Sequence, residues 1–179
     1  MNSIYKYQNI LKKCGCASFS FVPIRVGHLV EFYEYDGMFL KASSHNINSN
    51  GFCHEYNMLK LVCEKKPDVV PEPIFYRECD GVQILCVRKI LGEVLSSKNY
   101  NFKIAAKIKD ALRKIFNMEI VHGDVKKDNI MIRKDGSVCM LDFELSSVVR
   151  GMVDFELSPD MVGNDGRNFT NLIRNIERE

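Results

Sequence analysis

The sequence predicts an α+β protein with a β-rich first half and a helical second half. Two Asp-Gly pairs, Asp36–Gly37 and Asp80–Gly81, each separate two β-rich runs, and this arrangement is typical of β-hairpins. Between the hairpins, and again after them, the apolar residues change to helical spacing. Strands with one inserted helix, followed by a more helical part, indicate the α+β class.

The first half is interpreted as strands around a single helix. Residues 19–26 alternate weakly and predict a strand. Pro23 places that strand at the edge of a sheet, because proline cannot donate to the hydrogen-bond ladder. The helix is predicted after the first hairpin, with an apolar face formed by Phe52, Tyr56, Leu59 and Cys63.

The second half begins with an amphipathic helix over residues 102–118. A charged loop, residues 122–129, follows it between apolar segments. Two short strands separated by the turn R-K-D-G come next, and a short amphipathic helix is predicted over residues 169–176.

Composition excludes several classes of protein. Hydrophobic residues make up 46% and charged residues 27% of the chain, which allows a globular core. A net charge of +2 does not indicate nucleic acid or a membrane surface as a partner, and no apolar run predicts a membrane span or a signal peptide. Seven cysteines without a C-x-x-C pair argue against zinc and for a reduced, cytoplasmic location, with a nuclear one left open.

The charged loop contains side chains suited to phosphoryl transfer. The strand pair that follows it brings Asn129, just before the first strand, beside Asp142, just after the second. Amide and carboxylate oxygens at one end of a hairpin suit Mg²⁺, which takes one or two such ligands with phosphate and water. Asp124 is then free to accept the proton of an attacking hydroxyl, and Lys126 to offset the charge of the transferring group.

The motif H-G-D-V-K-K-D-N, residues 122–129, followed by L-D-F-E, residues 141–144, resembles the catalytic loop and metal-binding motif of the protein-kinase-like superfamily. Those motifs read H-R-D-x-K-x-x-N and D-F-G. The superfamily also has a lysine in an early hairpin and a glutamate in the next helix, and Lys41 and Glu55 occur in that order. The resemblance, over about residues 20–145, implies a two-lobed fold with a β-rich N-lobe and a truncated helical C-lobe.

For the chemical step, the resemblance implies that Asp124 is the catalytic base and that Lys126 lies near the γ-phosphate of ATP. It also implies that Asn129 and Asp142 bind Mg²⁺. His122 is expected to pack and shape the loop rather than to act as a base.

For nucleotide binding, the resemblance implies that Lys41 holds the α- and β-phosphates and that Glu55 holds Lys41. The adenine would contact backbone groups around Val87 to Lys89. Gly27 would lie in the turn that covers the phosphates.

One domain, residues 1–179, is expected. The N-lobe would take about residues 1–87, the hinge residues 87–93 and the shortened C-lobe residues 94–179.

Four departures from the family pattern refine the prediction. Gly27 is the one glycine in the expected phosphate-covering turn, Gly123 replaces the arginine of H-R-D, and Glu144 replaces the glycine of D-F-G. The segment after Asp142 is short for a substrate lobe, so a partner protein that completes it is an expectation. H-G-D resembles the small KEOPS kinase and aminoglycoside phosphotransferases, and D-F-E resembles choline kinases.

These observations predict an ATP- and Mg²⁺-dependent phosphotransferase. Lys126, placed as in Ser/Thr protein kinases, favours a protein substrate. Two alternatives stay open: a small-molecule kinase of the aminoglycoside or choline type, and a pseudokinase that serves as a binding module.

Overall fold

The computed structural model of the protein describes residues 12–13, 22–26, 30–44, 51–149 and 164–176. The chain divides into two compact units. Unit 1 comprises Met1–Asn57 and Glu72–Lys89, and unit 2 comprises Met58–Pro71 and Ile90–Glu179. No helix among the described residues is long and apolar enough to cross a membrane.

Unit 1 contains a five-stranded antiparallel sheet with the strand order β1-β2-β3-β5-β4. Its strands are β1 (Val22–Val26), β2 (Val30–Tyr35), β3 (Met38–Ser44), β4 (Pro73–Cys79) and β5 (Val82–Arg88). The strand β1 lies at one edge, as Pro23 predicts.

Both predicted hairpins are present and share one turn geometry. Asp36 and Gly37 have φ angles of 43° and 69°, and Asp80 and Gly81 have φ angles of 50° and 73°. Two consecutive positive φ angles define a type I′ turn, whose twist matches that of the flanking strands. The Asp-Gly pairs therefore fix the β2–β3 and β4–β5 hairpins locally.

One apolar cluster of the sheet lies on one of its faces. Alternating residues of β2, β3 and β5 form this buried cluster: Tyr33, Leu40, Ala42, Val82, Ile84 and Cys86. Side chains of a strand alternate between faces, so Lys41 lies on the opposite face, paired in register with Phe32 and Leu85.

Helix α1 (Gly51–Lys65) follows β3, and its residues up to Asn57 belong to unit 1. Its side chains Phe52, Met58, Leu59 and Val62 are buried. The predicted face was close to this one, although Tyr56 and Cys63 are half-buried rather than buried.

Unit 2 is built on helix α2 (Phe102–Phe116). Asn101 caps it, because its side-chain oxygen accepts hydrogen bonds from the amides of Lys103 and Ile104. The buried face confirms the predicted amphipathic helix and consists of Ile104, Ile108, Ala111, Leu112 and Ile115. A further helix, α3 (Asn164–Ile176), buries Leu172 and Ile176.

The strands of unit 2 are short. A three-stranded sheet has the order β6-β8-β9, and a separate strand pair joins β7 to β10. These strands are β6 (Gly92–Val94), β7 (Ile120–Val121), β8 (Ile130–Arg133), β9 (Val138–Met140) and β10 (Ser147–Val148). A 3₁₀ turn over Lys127–Asn129 leads into β8.

The α+β class is therefore confirmed, as are the two Asp-Gly hairpins and the β8–β9 strand pair. The strands β6, β7 and β10 were not predicted, and part of β6 falls in the stretch that was interpreted as a hinge. Strands of two or three residues are too short to show an alternating pattern.

Candidate active site

Lys41 and Glu55 form a close ion pair in unit 1. The Lys41 Nζ atom lies 2.9 Å from each carboxylate oxygen of Glu55. Glu55 is 2% exposed and the Lys41 side chain 16% exposed. The Phe52 ring lies 5.9 Å from Nζ, measured to its centroid. The structure therefore brings together the two residues that the family order paired.

The burial of the Lys41–Glu55 ion pair decides how its energetic role is interpreted. Desolvation of a buried ion pair offsets much of the Coulomb attraction, so such a pair is weak evidence for stability. The α1 carboxylate holds the ammonium group of Lys41 at a fixed place on the sheet. A fixed cation of this kind can bind phosphate oxygens, although nucleotide binding by Lys41 remains a prediction.

In unit 2, Asp124 is held by two neighbours from the charged loop. Its Oδ2 atom accepts hydrogen bonds from Asn129 Nδ2 at 2.8 Å and from Lys126 Nζ at 2.5 Å. Asn129 Nδ2 also donates to the Asp124 carbonyl at 3.0 Å. The 3₁₀ turn makes this possible by folding Asn129 back toward Asp124, while buried Val125 and Ile130 anchor the loop.

The second carboxylate oxygen of Asp124 differs from the first. Oδ1 accepts no hydrogen bond from the residues that the structure describes, and the side chain is 27% exposed. An oriented carboxylate with one open oxygen has the geometry of a general base.

Lys126 provides positive charge beside this carboxylate. The hydrogen bond to Asp124 raises the pKa of Lys126, and the negative charges of Asp124, Asp142 and Asp128 raise it further. Its side chain is 51% exposed, so a charged ammonium group is accessible next to the proposed base.

His122 links the charged loop to the segment that carries Asp142. Its Nδ1 accepts the Asp124 amide at 3.3 Å, and its Nε2 lies 2.8 Å from the Leu141 carbonyl oxygen. A carbonyl can only accept, so Nε2 carries the proton and the ring is the neutral Nε2–H tautomer. The buried ring packs edge-on against Phe143 at 4.6 Å, which confirms the expected packing role.

Asn129 and Asp142 flank the same end of the β8–β9 pair, as predicted. The Leu141 amide donates to the Asn129 carbonyl at 2.8 Å and joins the two segments. Asp142 has a φ angle of 65°, which is unusual for a residue other than glycine and persists where neighbours enforce it.

The chemistry of this end fits a magnesium ion. The hydrogen bonds of the Asn129 side chain use its amide nitrogen, so its amide oxygen and the Asp142 carboxylate are the hard ligands offered. Among the described residues no group of three or more His, Cys, Asp or Glu side chains could hold a metal. Mg²⁺ needs fewer, because it keeps waters and binds substrate phosphates.

Two backbone amides in the predicted adenine-binding segment, Val87 to Lys89, are already hydrogen-bonded within unit 1. The Lys89 amide donates to the Gly37 carbonyl at 2.8 Å, and the Arg88 amide donates to the Glu72 carbonyl at 2.8 Å. These two amides are therefore used inside unit 1, and adenine binding around Val87 to Lys89 stays a prediction. Gly27 lies outside the described residues.

Sequence reasoning missed two features beside the site, the packing of Gly123 against Leu145 and the burial of Ser146. Gly123 was interpreted as the loss of an arginine, whereas the structure gives it a φ angle of 85° and a close contact with Leu145. The glycine in the H-G-D motif was the sequence feature that could have indicated the close packing at Gly123. Ser146 is buried next to Phe143, and nothing in its sequence context pointed to it.

Comparison with known proteins agrees with this geometry. A family model described as "Protein kinase domain" matches residues 76–164. A solved structure of WbdD with a kinase inhibitor superposes with a TM-score of 0.56 at 14% identity. It covers 69% of this chain and 32% of that one. The chain has a protein-kinase-like fold. The predicted resemblance is confirmed at the level of the superfamily.

This protein-kinase-like chain also resembles two proteins of Arabidopsis thaliana. It is 35% identical over 69 residues to the serine/threonine-protein kinase OXI1 and 37% identical over 62 residues to mitogen-activated protein kinase kinase 10. The matches cover 38% and 35% of this chain. They span 16% and 20% of the two relatives.

Proposed function

We propose that this chain is an ATP- and Mg²⁺-dependent phosphotransferase, and specifically a small Ser/Thr-type protein kinase. The observation that carries the proposal is the Asp124 carboxylate. Asn129 and Lys126 hold it through one oxygen, while the other accepts no hydrogen bond from the part of the chain that the structure describes. This arrangement suits a base that receives the proton of an attacking hydroxyl.

The proposed reaction transfers the γ-phosphoryl group of ATP to a hydroxyl of the substrate. The hydroxyl oxygen bonds to the γ-phosphorus, the bond from that phosphorus to the β–γ bridging oxygen breaks, and the hydroxyl proton passes to Asp124. Bound Mg²⁺ would neutralise phosphate charge, and the oxygens of Asn129 and Asp142 would hold it. Lys126 would offset charge on the transferring group.

The Lys41–Glu55 pair has a separate role in this proposal. Lys41 would bind the α- and β-phosphates, and Glu55 would keep its ammonium group in place through the two 2.9 Å contacts. A chain that served as a binding module alone would have no chemical need for this pair together with Asp124, Asn129 and Asp142. The pseudokinase alternative is therefore less favoured.

A protein substrate is favoured over a small molecule for two reasons. Lys126 follows Asp124 by two residues, as in Ser/Thr protein kinases, and it contacts the proposed base directly. The two similar Arabidopsis thaliana proteins are named as protein kinases. The small-molecule alternative keeps the support of H-G-D and D-F-E.

The test uses the purified chain with labelled ATP, Mg²⁺, a basic protein, and a panel of aminoglycosides and choline. We expect label on the protein. Asp124→Asn keeps the shape of the side chain and should lower the rate about 10²- to 10⁴-fold. The matched control is Asp128→Asn, an exposed carboxylate of the same loop, which should stay near the wild-type rate.

Other outcomes separate the alternatives. Label on a small molecule but not on protein would favour a small-molecule kinase of the aminoglycoside or choline type. Nucleotide binding without any transfer would favour a binding module, and a wild-type chain without a nucleotide-dependent thermal shift would overturn the proposal. A partner protein that completes the helical part is a further proposal, and activity of the isolated chain would show that it is not required.

A further inference from the structure

The segment after Asp142 is fastened to the segment before the catalytic loop. Residues 145–149 lie against residues 119–123, and the antiparallel β7–β10 pair joins Ser147 to Val121 and Val148 to Ile120. At the far end the Val149 amide donates to the Glu119 carbonyl at 2.7 Å. We call these two paired segments the strand latch.

The near end of the strand latch depends on Gly123. Its α-carbon lies so close to Leu145 that an added Cβ would come within 2.2 Å of the Leu145 carbonyl oxygen and 2.9 Å of its carbonyl carbon. Its φ angle of 85° is also one that glycine adopts without strain. The backbone of Leu145 therefore occupies space that any other residue at 123 would fill.

Ser146 closes the turn that leads from Asp142 into the strand latch. Its hydroxyl donates to the Phe143 carbonyl at 2.6 Å, and its amide donates to the same oxygen at 3.2 Å. Ser146 is 5% exposed and Phe143 is fully buried. The Phe143 carbonyl oxygen, next to Asp142 in the chain, therefore accepts two hydrogen bonds from Ser146.

Asp142 needs such support because its φ angle is 65°. A residue other than glycine keeps this conformation where the surrounding structure over-determines it. On one side the Leu141 amide is bonded to the Asn129 carbonyl, and on the other side Ser146 holds Phe143. The backbone of Asp142 is therefore fixed from both directions.

We propose that Ser146 is a positioning residue, which holds the backbone of Asp142 in the conformation that presents its carboxylate beside Asn129. This inference rests on the proposed function in one respect, since it takes that carboxylate to be a magnesium ligand. In this proposal Ser146 acts through the Phe143 carbonyl.

The experiment compares Ser146→Ala with Ser137→Ala. Ser137 also makes side-chain and backbone hydrogen bonds in unit 2, but it lies at the other end of the β8–β9 pair from Asp142. Loss of the buried hydroxyl bond in Ser146→Ala should open the turn about fivefold more often. Amide hydrogen exchange of residues 146 and 149 should accelerate by that factor, and β5 should keep its protection.

Two further measurements test whether Ser146 positions Asp142. In the ligand-free protein the Asp142 Cα and Cβ NMR shifts should move in Ser146→Ala and stay in Ser137→Ala. The Mg²⁺ concentration that gives half-maximal nucleotide binding should rise about fivefold in Ser146→Ala alone. Gly123→Ala disturbs the strand latch in its other segment, residues 119–123, and should move the Asp142 NMR shifts in the same way.

Each outcome is decisive. Unchanged Asp142 shifts and exchange rates in Ser146→Ala would overturn the inference, and so would equal changes in both serine variants. Moved shifts with an unchanged Mg²⁺ dependence would overturn the link between Ser146 and metal binding. A wild-type chain that binds no nucleotide at any Mg²⁺ concentration would refute the proposed function, while the ligand-free shifts would still decide the role of Ser146.

Discussion

The α-carbon of Gly123 lies directly against the carbonyl group of Leu145, with room for a hydrogen but not for a methyl group. In H-R-D kinases this position is an arginine. The arginine could not be restored here without moving the segment that follows Asp142. The substitution seen in the sequence is therefore part of how this chain packs.

Gly123→Ala should destabilise the protein more than a comparable change elsewhere. At Gly37, where φ is also positive, nothing lies within 4 Å of an added Cβ. Gly37→Ala should therefore cost about 1 kcal/mol for backbone strain alone. Gly123→Ala adds a backbone collision and should cost about 1–3 kcal/mol more. Urea denaturation of both variants measures the difference, and equal losses would contradict the close packing at Leu145.

Lys41→Met should cost about 3 kcal/mol of unfolding free energy, because it leaves the buried Glu55 carboxylate without its partner. The double variant Lys41→Met with Glu55→Leu should recover much of this stability but not nucleotide binding. The control is the exposed pair of Arg88 and Glu72, whose side chains are 54% and 56% exposed. Its removal should cost about 0–1 kcal/mol.

This prediction is checked by urea denaturation and by nucleotide-dependent thermal shift. If the single and double variants were equally unstable, burial of an unpaired charge would not be the cause. If the double variant bound nucleotide like the wild type, the pair would have no role in phosphate binding.

His122→Phe should keep a ring against Phe143 but remove both hydrogen bonds of the imidazole. The Leu141 carbonyl and the Asp124 amide would lose their partner, which should cost about 2–4 kcal/mol in total. Phosphotransfer should fall with it, because the backbone of Asp124 is released. Phe143→Leu is the control, since it changes the ring contact and keeps both hydrogen bonds. Wild-type activity in His122→Phe would argue against a bridging role.

Stability should fall at alkaline pH because of one buried thiol. Burial raises the pKa of Cys139 to about 12 from an ordinary 9.0. Above about pH 9 the unfolded state releases the thiol proton while the folded state keeps it. The contribution of the thiol to the free energy of unfolding is therefore complete below about pH 9 and is lost as the pH rises toward 12. Cys139→Ala should start less stable because of a small cavity, yet lose less stability above about pH 9.

Urea midpoints of wild type and Cys139→Ala, measured from neutral to alkaline pH, test this prediction. Parallel curves would show that the thiol does not contribute. In the native wild type, Cys139 should also react far more slowly with a thiol reagent than the half-buried Cys53.

Much of the fold could be predicted because its signals are local. Asp36–Gly37 and Asp80–Gly81 encode their own turns through positive φ angles. Helix α2 shows its buried face through regular spacing and begins at an asparagine cap. Such features require no knowledge of distant parts of the chain.

Within each unit, one pair of predicted site residues lies close together, and the two pairs were predicted for different reasons. Asn129 and Asp142 follow from the strand pair between them, a short-range relation. Lys41 and Glu55 were paired through the family order, since either residue alone would be an ordinary surface charge. The structure gives their 2.9 Å contacts, while their roles in binding stay predictions.

What could not be predicted depends on close approach between segments. The two-residue strands β7 and β10 have no pattern of their own. The contact of Gly123 with Leu145 and the turn closed by Ser146 appear once those strands are paired. The use of the Lys89 amide by Gly37 also requires the β3–β5 neighbourhood to be known.

The hydrogen bond from the Val149 amide to the Glu119 carbonyl has a consequence for folding. It closes one continuous loop of chain that contains the proposed base, its lysine and both proposed metal ligands: Asp124, Lys126, Asn129 and Asp142. The entropy of closing a loop rises only slowly with its length, and contacts near in sequence form fast. The groups proposed for chemistry in unit 2 can therefore assemble together, whereas Lys41 and Glu55 form their contact outside that loop.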